Sequence, residues 1–339
     1  MRASAAIYGC LGPRLGAEEI AFFRDVQPWG FILFARNIEG PDQVRALIAA
    51  LRETVGRQDA PVLIDQEGGR VQRFGPPHWR RYPPARVLAR LPGGLIAQRD
   101  AIRLGARLMA DDLFALGVNV DCAPVLDVPQ PGAHDIIGDR AYGETPEAVA
   151  VLGRAAAEGL LAGGVLPVIK HIPGHGRATS DSHLDLPVVE ASLEALRETD
   201  FPPFQALSDM PLAMTAHVLY RALDPLRPAT TSRRVIREVL RGELGFCGLI
   251  MSDDLSMQAL EGDMTRRARQ SLSAGCDVVL HCNGDMVEMK AVAAGVRGLS
   301  GQSARRAEAA LSRLPLRPEP FDRREAEARF DALLSGAGS

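Results

Sequence analysis

Residues 102–124 read IRLGARLMADDLFALGVNVDCAP. Ile102, Ala106, Met109, Leu113 and Leu116 recur at three- and four-residue steps, which lays one apolar stripe along a helix. Gly117 ends that stripe, and an apolar, β-branched run from Val118 to Pro124 follows at once. A helix that closes on a left-handed glycine and passes directly into a strand is half of a βαβ unit. The same junction recurs at Gly163 and Gly164, at Gly245 and at Gly275, so the unit is repeated along the chain.

Outward from this stretch, eight short apolar runs alternate with helical ones: Ala5 to Cys10, Gly30 to Phe34, Pro61 to Asp65, Val118 to Pro124, Leu166 to Lys170, Pro211 to His217, Gly248 to Asp253 and Asp277 to Cys282. Eight units predict an α/β fold closed as a (β/α)8 TIM barrel. A doubly wound open sheet would use the same alternation, but no G-x-G-x-x-G follows an early strand. Connections from helix to strand are short, whereas three from strand to helix are long. They are Gln66 to about Gln98, Asp127 to Glu144, and Ile172 to Pro187. Long loops gathered on one face mark the working end of a barrel. The chain, residues 1–339, is read as a single domain with a core over about residues 5–300. Residues 301–339 are expected to form one or two peripheral helices and a disordered Gly-Ala-Gly-Ser tail.

Composition narrows the function classes. A formal charge of −3 argues against nucleic acid or an acidic membrane surface as partner. The longest nearly apolar stretch, Gly159 to Ile169, falls well short of the roughly 18 residues that span a bilayer. Met1 to Gly12 lack the cationic region and apolar core of a secretory signal, so the start reads as mature protein. Five cysteines without a C-x-x-C spacing fit a reducing compartment, and the expected location is the cytoplasm.

Ionisable residues collect where the predicted strands end: Asp65 after the third, Asp121 in the fourth, Lys170 and His171 after the fifth, His217 after the sixth, and Asp253 and Asp254 after the seventh. A lone carboxylate in such a place is often a helix cap, and Asp254 or Ser252 by position alone is as readily a cap as a reacting group. Five successive strands ending in ionisable groups exceed what capping requires. Two chemistries can be built from the set. In one, Asp253 is the nucleophile of a retaining glycoside hydrolysis, and Asp65, Arg73, Arg140, Lys170 and His171 hold sugar hydroxyls. Asp181 and His183, two apart in a loop, would form an acid/base dyad. In the other, His171, His175, Asp181 and His183 ligate a metal that activates water. Their H-x3-H-x5-D-x-H spacing matches no common metal signature, which favours a site without metal or cofactor. A non-catalytic sugar-binding barrel would use the same binding residues without Asp253 or the dyad.

Five motifs, in order, carry a resemblance: DQEGGRVQR (65–73), GDRAY (138–142), KHIPGHG (170–176), DSH (181–183) and SDDLSM (252–257). The chain resembles the bacterial β-N-acetylhexosaminidases of glycoside hydrolase family 3 over most of its length. The resemblance implies a single-domain barrel enzyme that releases terminal β-linked N-acetylglucosamine. Its implied substrates are muropeptides bearing 1,6-anhydro-N-acetylmuramic acid, met during peptidoglycan recycling, and the enzyme is expected to act as a monomer. It also implies Asp253 as nucleophile, His183 as acid/base with Asp181 as its partner, and Asp65, Arg73, Arg140, Lys170 and His171 as sugar-binding residues. Asp254 is left a structural part. Ile172 stands where these enzymes usually carry Phe. A histidine acid/base repels an anionic acceptor less than a second carboxylate would, so a β-N-acetylglucosaminide phosphorylase of the same family is the alternative.

Overall fold

The computed structural model describes residues 2–335 apart from Thr179, Asp181, His183, Leu184 and Leu316. Eight strands form a closed barrel: β1 (Ser4–Gly9), β2 (Pro28–Leu33), β3 (Val62–Ile64), β4 (Val120–Asp121), β5 (Leu166–Ile172), β6 (Leu212–Thr215), β7 (Leu249–Asp254) and β8 (Val278–His281). Each pairs in parallel with its sequence neighbours, and β8 closes on β1 through Ala6 against Val279. The chain is therefore a (β/α)8 TIM barrel, and the open-sheet alternative falls. With helices outside and packed side chains inside, both faces of a strand are dry, which explains why β5 is buried at all seven positions.

Each of the eight predicted runs becomes a barrel strand. The fourth is shorter than its sequence run because Ala123–Pro124 interrupts it: proline has no N–H to donate, so the regular ladder stops at Asp121. Pairing resumes loosely beyond it, with Lys170 N donating to Pro124 O and Leu126 N to Lys170 O. The stripe of residues 102–116 lies on the helix Gly94–Leu116, whose buried face includes Ile102, Met109, Leu113 and Leu116. Gly117 closes that helix at φ 91°, a conformation most side chains disfavour.

The connection expected to reach about Gln98 ends earlier, at the start of that helix, and holds a small hairpin of Gln66–Gly68 against Val71–Gln72. Its remaining turns carry the short helix Ala85–Leu88. Two peripheral helices follow the barrel, Gly301–Leu311 and Arg323–Ser335. The second inserts Phe330 among Tyr82, Ile102 and Leu108. Among the described residues no helix is long and apolar enough to cross a membrane.

Candidate active site

The carboxyl ends of the strands enclose a cavity of about 200 Å³. Asp65, Arg73, Arg140, Lys170, His171 and Asp253 all line it, although they are spread over 188 positions of sequence, from 65 to 253. The six residues expected to gather there do so.

Five ions alternate in sign along one wall. Arg73 Nη2 lies 3.3 Å from Asp65 Oδ2, and Lys170 Nζ lies 2.9 Å from Asp65 Oδ1 and 2.7 Å from Glu67 Oε1. Arg140 donates two parallel hydrogen bonds to Glu67, each 2.8 Å long. Lys170 is almost wholly buried, so its charge survives only because two carboxylates offset the lost hydration. Burial drives the Lys170 ammonium toward neutrality, but Asp65 and Glu67 outweigh it and raise its pKa. The carboxyls move the other way. Burial raises Glu67, Arg140 and Lys170 lower it further, and the net direction is down. Asp65 is likewise held below the ordinary carboxylate range by Lys170 and Arg73 against its burial. Three cations against two carboxylates leave one surplus positive charge on this wall, with Asp253 lining the same cavity.

His171 is fixed by a residue that sequence reasoning passed over. Its Nδ1 lies 2.7 Å from Asp127 Oδ2, and Asp127 Oδ1 accepts the backbone N–H groups of His171 (3.2 Å) and His175 (2.6 Å). Asp127 is inaccessible to solvent. Burial raises its pKa, and His171 with these hydrogen bonds reverses the shift to hold the carboxyl ionised. With Nδ1 committed to Asp127, Nε2 is the nitrogen that His171 has left for a ligand. Gly176 explains how the chain comes so close here, since a Cβ at that position would stand 2.0 Å from Val128 O.

Asp253 ends β7. Among the described residues its carboxylate accepts one hydrogen bond, 2.8 Å from Asp254 N to Oδ1. Burial would raise its pKa, but His171, that N–H and Lys170 help hold it below the ordinary value. An ionised, desolvated carboxylate with few partners is a competent nucleophile. Asp254 serves the backbone instead. Its carboxylate accepts Ser256 N (3.1 Å), Ser256 Oγ (2.6 Å) and Cys282 N (3.2 Å), which fixes the turn after β7. Neither Asp254 nor Ser252 caps the following helix, Met264–Ala274. Asp263 does so, accepting from Arg266 N at 2.8 Å, and Ser252 Oγ instead accepts Leu280 N.

Asp181 and His183, the expected dyad, lie outside the described residues. Ser182 between them is buried at the cavity wall, its Oγ 3.4 Å from His175 Nε2 and its carbonyl accepting from Ala259 N at 3.3 Å. Burial, with His171 nearby, pushes His175 down to about 4, so its ring is neutral at pH 7. Among the described residues no group of three His, Cys, Asp or Glu side chains gathers to hold an ion. Ile172 is wholly buried in an apolar cluster with Leu126, Val218 and Ile250, so the substitution for Phe changes core packing behind the cavity.

Glu67, Asp127 and His217 were the residues left without a role. A count of charges could have found Glu67, because three expected cations had only Asp65 to balance them. Asp127 stands alone as an acid in the apolar run Cys122 to Val128, itself a signal of a buried partner.

The profile of the glycosyl hydrolase family 3 N terminal domain matches residues 14–314. The chain belongs to glycoside hydrolase family 3. Its relatives in the family include a β-hexosaminidase of Alkalilimnicola ehrlichii, 45% identical over 280 residues, which cover 81% of this chain and 79% of that one. A β-hexosaminidase of Methylococcus capsulatus is 43% identical over 283 residues, covering 82% of each chain. Among solved structures of family 3, NagZ from Neisseria gonorrhoeae in complex with N-trifluoroacetyl-D-glucosamine superposes with a TM-score of 0.85 at 32% identity, covering 99% of this chain and 98% of that one. As a family 3 β-N-acetylhexosaminidase, the chain is a glycoside hydrolase with a carbohydrate substrate.

Proposed function

We propose that the chain is a retaining exo-β-N-acetylglucosaminidase that works through a covalent glycosyl-enzyme. Asp253 attacks the anomeric carbon of a terminal N-acetylglucosamine while His183, oriented by Asp181, protonates the departing glycosidic oxygen. His183 then takes a proton from water, the resulting hydroxide attacks the same carbon, and Asp253 leaves as the carboxylate. Two inversions at one carbon give net retention. Asp65, Arg73, Arg140, Lys170 and His171 bind the sugar. The observation that carries this reading is the cavity that Asp253 lines, ionised and sparsely hydrogen-bonded, together with the fixed ions that line it too. Such a wall presents many directed donors and acceptors to a polyhydroxylated ring without reorganising.

The preferred substrates in this reading are muropeptides bearing 1,6-anhydro-N-acetylmuramic acid, processed during peptidoglycan recycling. Five free thiols support a reducing, cytoplasmic location. The described site residues all come from one chain, which we read as a single domain acting as a monomer, without metal or cofactor. Asp253→Ala is expected to lower turnover of an aryl β-N-acetylglucosaminide by about a thousandfold or more with an unchanged melting profile. Near-normal activity would remove the nucleophile assignment. Product analysis on an anhydro-muropeptide, with and without inorganic phosphate, tests the substrate and separates hydrolysis from phosphorolysis.

A further inference from the structure

The turn that follows Asp253 is held from its far side by a histidine that does not line the cavity. His217 Nε2 lies 3.0 Å from the carbonyl oxygen of Asp254. A carbonyl only accepts, so Nε2 carries the proton. His217 Nδ1 lies 2.7 Å from Thr230 Oγ1, and that hydroxyl lies 2.7 Å from Thr215 Oγ1. Thr215, His217 and Thr230 are all fully buried, beyond the reach of bulk water.

Each hydroxyl has one proton to give, which fixes the direction of the chain. Burial lowers the His217 pKa and favours the neutral ring, whose Nδ1 must then accept. Thr230 therefore donates to Nδ1 and receives from Thr215. Thr230 Oγ1 also lies 3.1 Å from Ala216 O, but donating there would strand Nδ1 unless the buried ring were charged. The polarity runs one way, from Thr215 through Thr230 and His217 to the carbonyl of Asp254. The N–H of that same residue holds Asp253 Oδ1 at 2.8 Å.

We propose that this buried chain locks His217 in its Nε2–H tautomer, and that His217 thereby acts as a positioning residue that aims the Asp253 carboxylate. The inference rests on Asp253 being the nucleophile. Removing the Thr230 hydroxyl leaves Nδ1 without its donor, frees the ring to take the other tautomer and releases the Asp254 carbonyl.

The test follows covalent trapping with a fluorinated N-acetylglucosaminyl fluoride, with the adduct mapped by peptide mass spectrometry, beside steady-state kinetics. Thr230→Val is expected to slow both adduct formation and kcat by about 10- to 100-fold, the range for a reacting group displaced by an ångström or less, with inhibition by free N-acetylglucosamine unchanged. Thr230→Ser restores the rate. His217→Gln, whose amide can still donate to the carbonyl, stays within about threefold, whereas His217→Phe loses as much as Thr230→Val. That second pair decides the matter even if Thr230→Val does not fold. Wild-type trapping rates on Asp253 in Thr230→Val or His217→Phe would overturn the proposal alone. An adduct mapped to another residue would instead remove the nucleophile assignment, and this inference with it.

Discussion

Replacing Glu67 with Gln removes one charge from the centre of the alternating wall while nearly preserving shape. Glu67 is the only carboxylate in the wall that holds Arg140, through two 2.8 Å bonds, and it shares Lys170 with Asp65 at 2.7 Å. Its side chain is 6% exposed and those of Arg140 and Lys170 are 11% and 2%, so solvent does little to screen the loss. An amide can accept at its one oxygen, but its NH2 must face a cation. Breaking a buried pair by removing one partner costs about 3–5 kcal/mol. At roughly 2 °C per kcal/mol for a chain of this size, the melting temperature should fall by about 6–10 °C. Arg140 and Lys170 are no longer held in place, so KM for an aryl β-N-acetylglucosaminide should rise more than kcat falls. The pH dependence has a definite sign. The folded Glu67 pKa lies below its unfolded value of about 4.3, so the stability it contributes is fully present above that pH. It is lost as pH falls toward the folded value. The gap between wild type and Glu67→Gln, followed by calorimetry, should be full at pH 7 and narrow on acidification. A melting temperature within 1 °C of wild type at pH 7, with an unchanged KM, would refute the view that Glu67 holds the sugar-binding cations.

Two further outcomes follow from the proposed mechanism and the geometry around His171. His183→Ala should impair substrates with poor leaving groups far more than activated aryl substrates, since an activated group needs little protonation; equal losses across a leaving-group series would argue against an acid role. Asp127→Asn should lower kcat/KM by about 10- to 100-fold, because an amide NH2 facing His171 Nδ1 favours the wrong tautomer of that ring, and a normal pH–rate profile with full activity would count against it.

The barrel was legible because its signals are local. An apolar stripe on residues 102–116, a glycine stop at Gly117 and a strand immediately after are dictated by helix and strand periods and need no distant partner. The fourth strand is shorter than its apolar run for a reason also local, since Pro124 interrupts that run. At the site, the residues in dense motifs were legible and their supporters were not. Asp65, Lys170, His171 and Asp253 stand at strand ends, where a barrel concentrates its chemistry. Asp127 sits 44 positions before His171, and His217 reaches the carbonyl of a residue 37 positions later. No period or spacing encodes such a meeting.

Sequence by itself thus determined the eight repeated units, the face on which the loops gather and the residue types available to a sugar site. Those properties follow from side-chain period and from which strand ends carry charge. Only the tertiary structure decided how the charges are paired: that Glu67 stands between Arg140 and Lys170, that Asp127 takes His171 Nδ1, and that Thr215, Thr230 and His217 form one directed chain behind Asp253. The physical reason is burial. In water each of these ions and hydroxyls would be satisfied by solvent, whereas buried at the mouth of the closed barrel each must find a partner from a distant part of the chain, and barrel closure brings those strand ends and their loops together.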